Sequence, residues 1–240
     1  MIYGILSDIH ANLEALNSVL EFFVSKKVGH YACSGDIVGY GPNPNECAEI
    51  FRKLSPLSAC VGNHDRAATG MKELTWFNEY AKKSLQWTAR ALNESNKIYL
   101  SELPKNVTTG GMMLVHGSPR DPLDEYLLMR RQYEENVPHL LADVTLVGHT
   151  HVPFIFGHTT AYLLKNGESL TLDQDKRYII NPGSVGQPRD GDSRASCAVY
   201  DSEKRQFTLY RVDYDIALTQ SKMRDYKLPS YLIERLSWGK

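Results

Sequence analysis

The 240-residue chain has no excess of charge of either sign, with 27 Lys and Arg against 28 Asp and Glu. That absence argues against general nucleic-acid binding, which leaves a basic footprint. Cysteine is scarce. Cys33, Cys47, Cys60 and Cys197 form no C-x-x-C pair, so neither a zinc knuckle nor a thioredoxin-like motif is expected. Cys33 and Cys60 lie in apolar runs and read as buried free thiols. No apolar stretch approaches the length of a bilayer span. The opening MIYGILSDIH has no basic n-region and no long apolar h-region. No signal peptide is therefore expected, and a reducing cytoplasm is the expected location. Internal repeats, linkers and low-complexity tracts are also missing. What remains is an ordinary globular composition, 42% hydrophobic and 23% charged, which excludes disorder over most of the chain. One domain over residues 1–240 is expected.

The first half has a strand, polar loop, helix rhythm. Ile2 to Leu6 is a short apolar run ending in Ser-Asp-Ile-His, which reads as a buried strand. Asn12 then precedes Leu13, Leu16, Val19, Leu20 and Phe23, a helical spacing with an N-cap residue in place. Tyr31 to Cys33 restarts the pattern, a helix is expected from about Glu46 to Leu54, and Leu57 to Val61 forms the next strand. Such alternation predicts βαβ units in a parallel sheet, with functional loops beyond the carboxyl ends of the strands. From Arg66 to about Pro104 the rhythm gives way to a helical, cap-like insertion, where Trp87 reads as core and Trp76 and Phe77 as candidate pocket residues. After Pro104, runs at Met112–Val115, Asp143–Val147, Phe154–Phe156, Tyr178–Ile180, Cys197–Tyr200 and Phe207–Val212 predict a second sheet packed on the first. A C-terminal helix is expected to begin near Asp215.

Several predicted strands end in candidate metal ligands: Asp8 and His10, Asp36, Asn63 beside His64, His116, and His149 with His151. Five of the eight histidines fall at these ends, while His30, His139 and His158 do not. One strand-end histidine, or one Asp or Asn, is more often structural or a helix cap. Convergence of several on one sheet edge is what argues for chemistry. Imidazole and carboxylate together suit Mn, Fe and Zn better than Ca or Mg alone. An Asp can bridge two cations, and two cations about 3.5–4 Å apart can clamp the attacking and leaving oxygens of a displacement at phosphorus. A histidine that is not itself a ligand can give the leaving oxygen its proton.

In order, the segments Asp8-Ile9-His10, Gly35-Asp36, Gly62-Asn63-His64-Asp65, His116-Gly117 and Gly148-His149-Thr150-His151 resemble the motif set of the calcineurin-like metallophosphoesterases. HANLEAL, GDIVGYGPNPNE and NPGSVGQPRDGD are similar to a small bacterial, phosphodiesterase-like branch of that family. The resemblance implies an α/β fold, a four-layer αββα sandwich of two mixed β-sheets flanked by helices. It implies two divalent metal ions per chain, with Mn, Fe or Zn expected and Mg or Ni able to substitute in vitro. Asp8, His10 and His151 would hold the first ion, Asn63, His116 and His149 the second, and Asp36 would bridge them. His64 would act as general acid or stabilise phosphate charge, with Asp65 orienting its imidazole.

The implied activity is hydrolysis of a small phosphodiester or nucleotide by a metal-bridging hydroxide. The alternatives are a phosphomonoesterase, a diadenosine polyphosphate hydrolase, or a non-catalytic scaffold that keeps the fold. At Gly35-Asp36-Ile37-Val38-Gly39-Tyr40-Gly41 the chain lacks the arginine of the Ser/Thr protein phosphatases, which argues against a phosphoprotein substrate. Asn12, Tyr40, Arg120 and Arg189 follow ligand motifs or lie in polar loops and are candidate substrate contacts, each of which could equally serve local structure. Asn181-Pro182-Gly183-Ser184 is a turn by its chemistry, with Gly183 at positive φ. Arg130-Arg131 reads as a solvated helix face. The expected partner is a small phosphorylated molecule, not a membrane, and an exposed edge strand in the second half offers a route to a homodimer.

Overall fold

The computed structural model describes residues 1–240. Strand and helix alternate through β1 (Ile2–Leu6), α1 (Leu13–Ser25), β2 (His30–Cys33), α2 (Pro44–Lys53) and β3 (Leu57–Ala59). Helices α3 (Asn63–Ala68), α4 (Glu79–Ala91) and α5 (Glu94–Glu102) follow, with a 3-10 turn at Leu74–Trp76. The second half comprises β4 (Asn106–Thr109), β5 (Met112–Val115), α6 (Arg130–Asn136), β6 (Val144–Leu146), β7 (Phe154–Gly157), β8 (Ala161–Leu163), β9 (Ser169–Thr171), β10 (Tyr178–Asn181), β11 (Ala195–Asp201) and β12 (Gln206–Val212). Helices α7 (Ile216–Asp225) and α8 (Ser230–Trp238) close the chain. No helix is long and apolar enough to cross a membrane.

The strands form two six-stranded mixed sheets, ordered β3-β2-β1-β11-β12-β9 and β4-β5-β6-β10-β7-β8. This corrects the expected division into a first-half sheet and a second-half sheet. β1 pairs in parallel with β2 on one side, and its other edge is filled by β11, antiparallel from Ile2↔Asp201 to Ile5↔Ala198. The β11–β12 hairpin and β9 thus extend the first sheet. Local sequence patterns identify a strand but not which open edge it will fill.

The period-two geometry of strands explains why the apolar runs are buried on both sides. In β1, Ile5 joins the cluster of Met112, Leu114, Ile155, Ile180, Ala198 and Phe207 between the sheets, while Leu6 joins Leu16, Val19, Phe23 and Phe51 beneath the helices. In β5, Met112 and Leu114 face inward, and Met113 and Val115 pack outward with Tyr133 of α6. Helix, sheet, sheet and helix therefore stack as four layers around three cores. A fourth cluster lies under α7 and α8, where Met223, Leu232, Ile233 and Leu236 pack against Tyr40 and Ala81.

Local chemistry sets the boundaries. Asn12 accepts a hydrogen bond from the Ala15 amide as the cap of α1, as its spacing predicted. Helix α2 begins two residues before the expected Glu46 because Pro44, with its fixed φ, is suited to a first helical turn. All four cysteines are buried and free. β8 is an edge strand with all three residues exposed.

The candidate ligands follow β1, β2, β3, β5 and β6. These strands run parallel within their sheets, β1 with β2 and β3, and β5 with β6. Their carboxyl ends meet at one rim of the sandwich, which delivers five loops to one place.

Candidate metal centre and substrate cavity

The loops at this rim are tied to one another by their backbones. Asp8 and His10 amides donate to the carbonyls of Gly35 and Asp36, Gly186 donates to Asp8, and Gly148 donates to His116, all at 2.9–3.0 Å. The chain bends sharply to achieve this. Ten non-glycine residues have positive φ, and seven of them are Asp8, His10, Ala11, Asp36, Tyr40, His149 and His151. Each such residue costs about 1–3 kcal/mol, a strain that persists only where the surroundings impose it. Two motif glycines owe their presence to crowding. A Cβ at Gly62 would stand 2.0 Å from Asp36 Oδ1, and one at Gly148 would stand 2.1 Å from Ser7 Oγ and 2.7 Å from Asp8 Oδ2.

Seven sequence-predicted donors converge here, and all are buried: Asp8, His10, Asp36, Asn63, His116, His149 and His151. Each histidine has one ring nitrogen against a backbone carbonyl, His10 Nδ1 on Val38 at 3.3 Å, His151 Nδ1 on Gln187 at 2.6 Å, His116 Nδ1 on Ser34 at 2.8 Å and His149 Nε2 on Asp124 at 3.2 Å. A carbonyl only accepts, so the nitrogen facing it carries the proton. In the neutral rings the other nitrogen then presents a lone pair.

The second ring nitrogens of His10, His116 and His151 point into one cluster. His10 Nε2 and His151 Nε2 are 3.0 Å apart, and Asp8 Oδ1 lies 3.4 Å from the latter and 3.8 Å from the former. His116 Nε2 faces Asn63 Oδ1 at 3.1 Å and Asp36 Oδ2 at 3.3 Å, and the same Asp36 oxygen is 3.6 Å from His10 Nε2. Two lone pairs at 3.0 Å repel unless a cation lies between them. Ligands about 2.1 Å from a common ion stand roughly 3.0–3.4 Å apart, so the spacing fits a metal. Asp8, His10 and His151 form one compact acidic and imidazole group, and Asp8, Asp36 and His116 form a second.

Electrostatics agrees. Burial, reinforced by repulsion from Asp36, pushes Asp8 up to about 6. Burial would also raise Asp36, but the neighbouring imidazoles, His116 foremost, hold it well below the usual carboxylate range. His116 rises to about 9 because Asp36 and Asp8 overcome the effect of burial. Burial holds His10, His149 and His151 well below the usual imidazole range. The cluster thus has a fixed demand for positive charge. A proton on His116 meets it in part, and divalent ions meet it in full.

His64 sits beside this cluster with its ring 4.8 Å from that of His10, 4.4 Å from Tyr40 and 5.1 Å from Phe77. Burial lowers it to about 4. Its amide donates to Asp36 Oδ1 at 2.9 Å, and its Nδ1 has no partner. Asp65 does not orient this imidazole, contrary to expectation. Its two carboxylate oxygens accept from the Val38 and Gly62 amides, each at 3.0 Å. Asp65 clamps the two loops that carry Asp36 and Asn63, and burial and Asp36 push it up to about 7.

The four candidate substrate contacts separate. Tyr40 lines the cavity beside His64. Arg189 stands 5.8 Å over the Tyr40 ring and reaches Gln187 Oε1 at 3.0 Å, with a buried Nε that has no partner and no carboxylate in contact. Its charge depresses His10, His64 and His151. Arg120 is not at the cavity. It pairs with Glu125 and, at 2.9 Å, with Glu135, because those carboxylates lie within its reach on its own side of the loop. Asn12 is engaged structurally. Besides capping α1 it donates from Nδ2 to the Gly186 carbonyl at 2.9 Å, so its side chain ties the start of α1 to the loop before β11.

Other contributors carried little or no sequence signal. Asn181 Nδ2 donates to Gly148 at 2.6 Å, and Ser184 Oγ donates to the Asp8 carbonyl at 2.7 Å, so the Asn-Pro-Gly-Ser turn props up two ligand loops. Gly183 has the positive φ expected of it, +78°. The carbonyls of Val38, Ser34, Gln187 and Asp124 cannot be read from side-chain identity. Outward from the candidate ligands Asn63 and His149 opens a cavity of ≈ 430 Å³, walled by Trp76, Phe77 and Tyr126 and bearing at its rim a Lys72–Asp124 ion pair of 2.7 Å.

The chain resembles known proteins in sequence and in fold. The calcineurin-like phosphoesterase superfamily domain matches residues 1–205. The chain is 41% identical over 242 aligned positions to an uncharacterised protein of Methanocaldococcus jannaschii, covering 99% of this chain and 98% of that one. A metallophosphoesterase from Sphaerobacter thermophilus superposes with a TM-score of 0.91 at 42% identity, covering 100% and 99% of the two chains. A hypothetical protein of Pyrococcus horikoshii superposes with a TM-score of 0.84 at 24% identity, covering 100% and 98%, and shares the fold.

The structural role of Asn12 is open to direct test. Asn12→Ala removes a helix cap worth about 1 kcal/mol and a buried hydrogen bond worth about 1 kcal/mol. Urea unfolding should show a loss of roughly 2 kcal/mol, and an unmoved midpoint would refute the clamp.

Proposed function

The chain belongs to the calcineurin-like phosphoesterase superfamily, and from that premise we propose that it is a dinuclear metal-dependent phosphoesterase acting on a small phosphodiester. The observation that carries this reading is the mutual approach of unprotonated His10 Nε2 and His151 Nε2 at 3.0 Å beside buried Asp8, an arrangement that calls for a cation. Asp8, His10 and His151 would hold one ion, and Asn63, His116 and His149 the other. Asp36, whose Oδ2 approaches His10 and His116 at 3.6 and 3.3 Å, would serve both ions. The mixed oxygen and imidazole set suits Mn, Fe or Zn. Bound there, divalent ions supply Lewis acidity and lower the pKa of water toward about 7.

The chain's own groups do the rest. Neighbouring carbonyls fix the four imidazoles, so the donors need no reorganisation when a phosphate arrives. His64 is buried in the cavity wall and neutral in the free protein. A phosphate anion beside it favours the imidazolium, which can then pass its proton to the leaving oxygen. Arg189, with no carboxylate to neutralise it, is placed to hold a non-bridging phosphate oxygen, and the Tyr40 hydroxyl, 3.5 Å from its Nη2, supports it. The segment from 66 to 104 acts as a cap by supplying Lys72, Trp76, Phe77 and Asn78 to the cavity.

Hydrolysis of bis-p-nitrophenyl phosphate by chelator-treated protein should be absent and should return on adding Mn, faster than hydrolysis of p-nitrophenyl phosphate. No turnover of either ester by protein that holds two tightly bound metals would support a scaffold instead. Asp36→Ala should lose metal, measured by elemental analysis. His64→Ala should keep metal but lose about 10²-fold or more in kcat, most severely with the poorer leaving group of diphenyl phosphate. An equal loss with both diesters would assign His64 to charge stabilisation rather than proton transfer. Arg189→Met should raise KM about tenfold or more, as expected when a charge-assisted bond of about 1.5–3 kcal/mol is removed. An unchanged KM would free Arg189 of that role.

A further inference from the structure

The cavity wall facing away from the metal ligands differs chemically from the ligand side. Trp76, in the 3-10 turn before α4, is 86% exposed at the mouth. Such a large apolar surface has no packing role. Phe77 follows it and meets the His64 ring edge-on at 5.1 Å. Across the cleft, the Tyr126 ring lies 3.8 Å from that of His149. Three aromatic rings thus line the path outward from His64 and His149.

Charge on this wall is neutralised. Lys72 is the cation at the rim, and Asp124 pairs with it at 2.7 Å. Asn78 Oδ1 already accepts from the Tyr80 and Ala81 amides at 3.1 and 3.0 Å, so only its amide N–H groups remain to meet a ligand. With Arg189 engaged by the first phosphate, a second phosphate or a carboxylate placed here would meet only the paired Lys72. A flat, uncharged ring with an acceptor at its edge would find stacking faces and a donor.

We infer that the substrate is a phosphoester carrying one planar aromatic group, an aryl ring or a nucleobase, which Trp76, Phe77 and Tyr126 clamp while the phosphate lies at the metal centre. The inference rests on the metallophosphoesterase reading and narrows it. An ester bearing a second phosphate, as in a dinucleoside polyphosphate, does not match the wall, and neither does a purely aliphatic one. The cavity of ≈ 430 Å³ is within the range of about 300–1,000 Å³ usual for small-molecule sites. Trp76 sets specificity by touching the substrate's ring and stays clear of the reacting atoms.

Three non-hydrolysable phosphonates separate this inference from the reading beneath it. Full-length, Mn-reconstituted protein is titrated calorimetrically with methylphosphonate, phenylphosphonate and 1-naphthylmethylphosphonate. The ligands share the dianionic head and differ in the ring. The naphthyl ligand should bind about tenfold or more tightly than methylphosphonate, and in Trp76→Ala that ratio should collapse toward one. Trp87→Phe, whose indole packs on Tyr226 with ring centroids 4.9 Å apart, should keep the wild-type ratio. Equal affinity of the three ligands, or a preference that survives Trp76→Ala, would overturn the aromatic clamp and leave the metal centre standing. Failure of all three to bind metal-loaded protein would overturn both.

Discussion

Two buried carboxylates, Asp8 and Asp36, facing a ring of imidazole lone pairs are the constraint on which the rest of this structure depends. Burial alone would drive both carboxylates toward the neutral form. Instead the neighbouring imidazoles hold Asp36 well below its ordinary range, while Asp8 rises to about 6. Such a cluster is poorly stable without added positive charge, yet its donors are set by hydrogen bonds that leave them little freedom to turn away. The strained backbone at Asp8, His10, Asp36, His149 and His151 has the same origin. The Asp8 and His10 amides are tied to the loop after β2 and the His149 amide to the Asp8 carboxylate, while the side chains of all five converge on one point. The fold maintains the strain because five parallel strands of two sheets end at the same rim.

The four-layer arrangement is what makes that rim rigid. Residues of β1 alternate between the core beneath the helices and the core between the sheets, and residues of β5 alternate between that inner core and the outer layer. Each ligand loop therefore leaves a strand packed on both faces, and small shifts at the loops are resisted by side chains in two cores at once. Asp65 and Asn12 contribute in a different way. Each is polar and buried, and each joins two loops whose side chains bear on the site, Asp65 through the Val38 and Gly62 amides and Asn12 through the α1 cap and the Gly186 carbonyl. Their proximity to ligand motifs is a consequence of holding those motifs in place.

Much of this was readable in the sequence, for identifiable reasons. Short apolar runs ending in Asp-Ile-His, Gly-Asp or Gly-His-Thr-His carry both the strand and its functional loop in adjacent residues, so the donor set and its position at strand ends were visible. The Asn12 cap and the start of α7 after Asp215 were visible through local spacing. Sheet membership was not, because β11 and β12 join β1 through pairings about 195 residues away in sequence, and no local pattern encodes which edge remains open. The role of Asp65 is hidden for a related reason: a carboxylate next to His64 in sequence accepts instead from the Val38 and Gly62 amides, backbone groups that have no identity in the sequence. Arg120 is likewise engaged away from the cavity, by Glu125 and Glu135. The aromatic wall was only half visible. Trp76 and Phe77 stood out by their irregular context, but Tyr126 approaches from a loop about 50 residues away.

The two sides of the cavity answer to different physical demands, and this separates chemistry from selectivity. Metal-side groups come from strand ends, are buried, and are cross-braced by backbone hydrogen bonds, so a substitution there disturbs charge and geometry together. The opposite wall comes from the 3-10 turn, the start of α4 and the loop after β5, where Trp76 is solvent-exposed and Lys72 and Asp124 neutralise each other. Side chains on that wall can change without breaking a core or orphaning a buried charge. Arg189 lies between these regimes, held by Tyr40 and Gln187 yet unmatched by any carboxylate. With divalent ions held as proposed, an uncompensated guanidinium beside them would be unfavourable, and an anion bound between them would relieve both. On the proposed reading, the electrostatic imbalance that would gather metal ions on one side would also set where a phosphate sits, and the aromatic residues would discriminate only beyond that point.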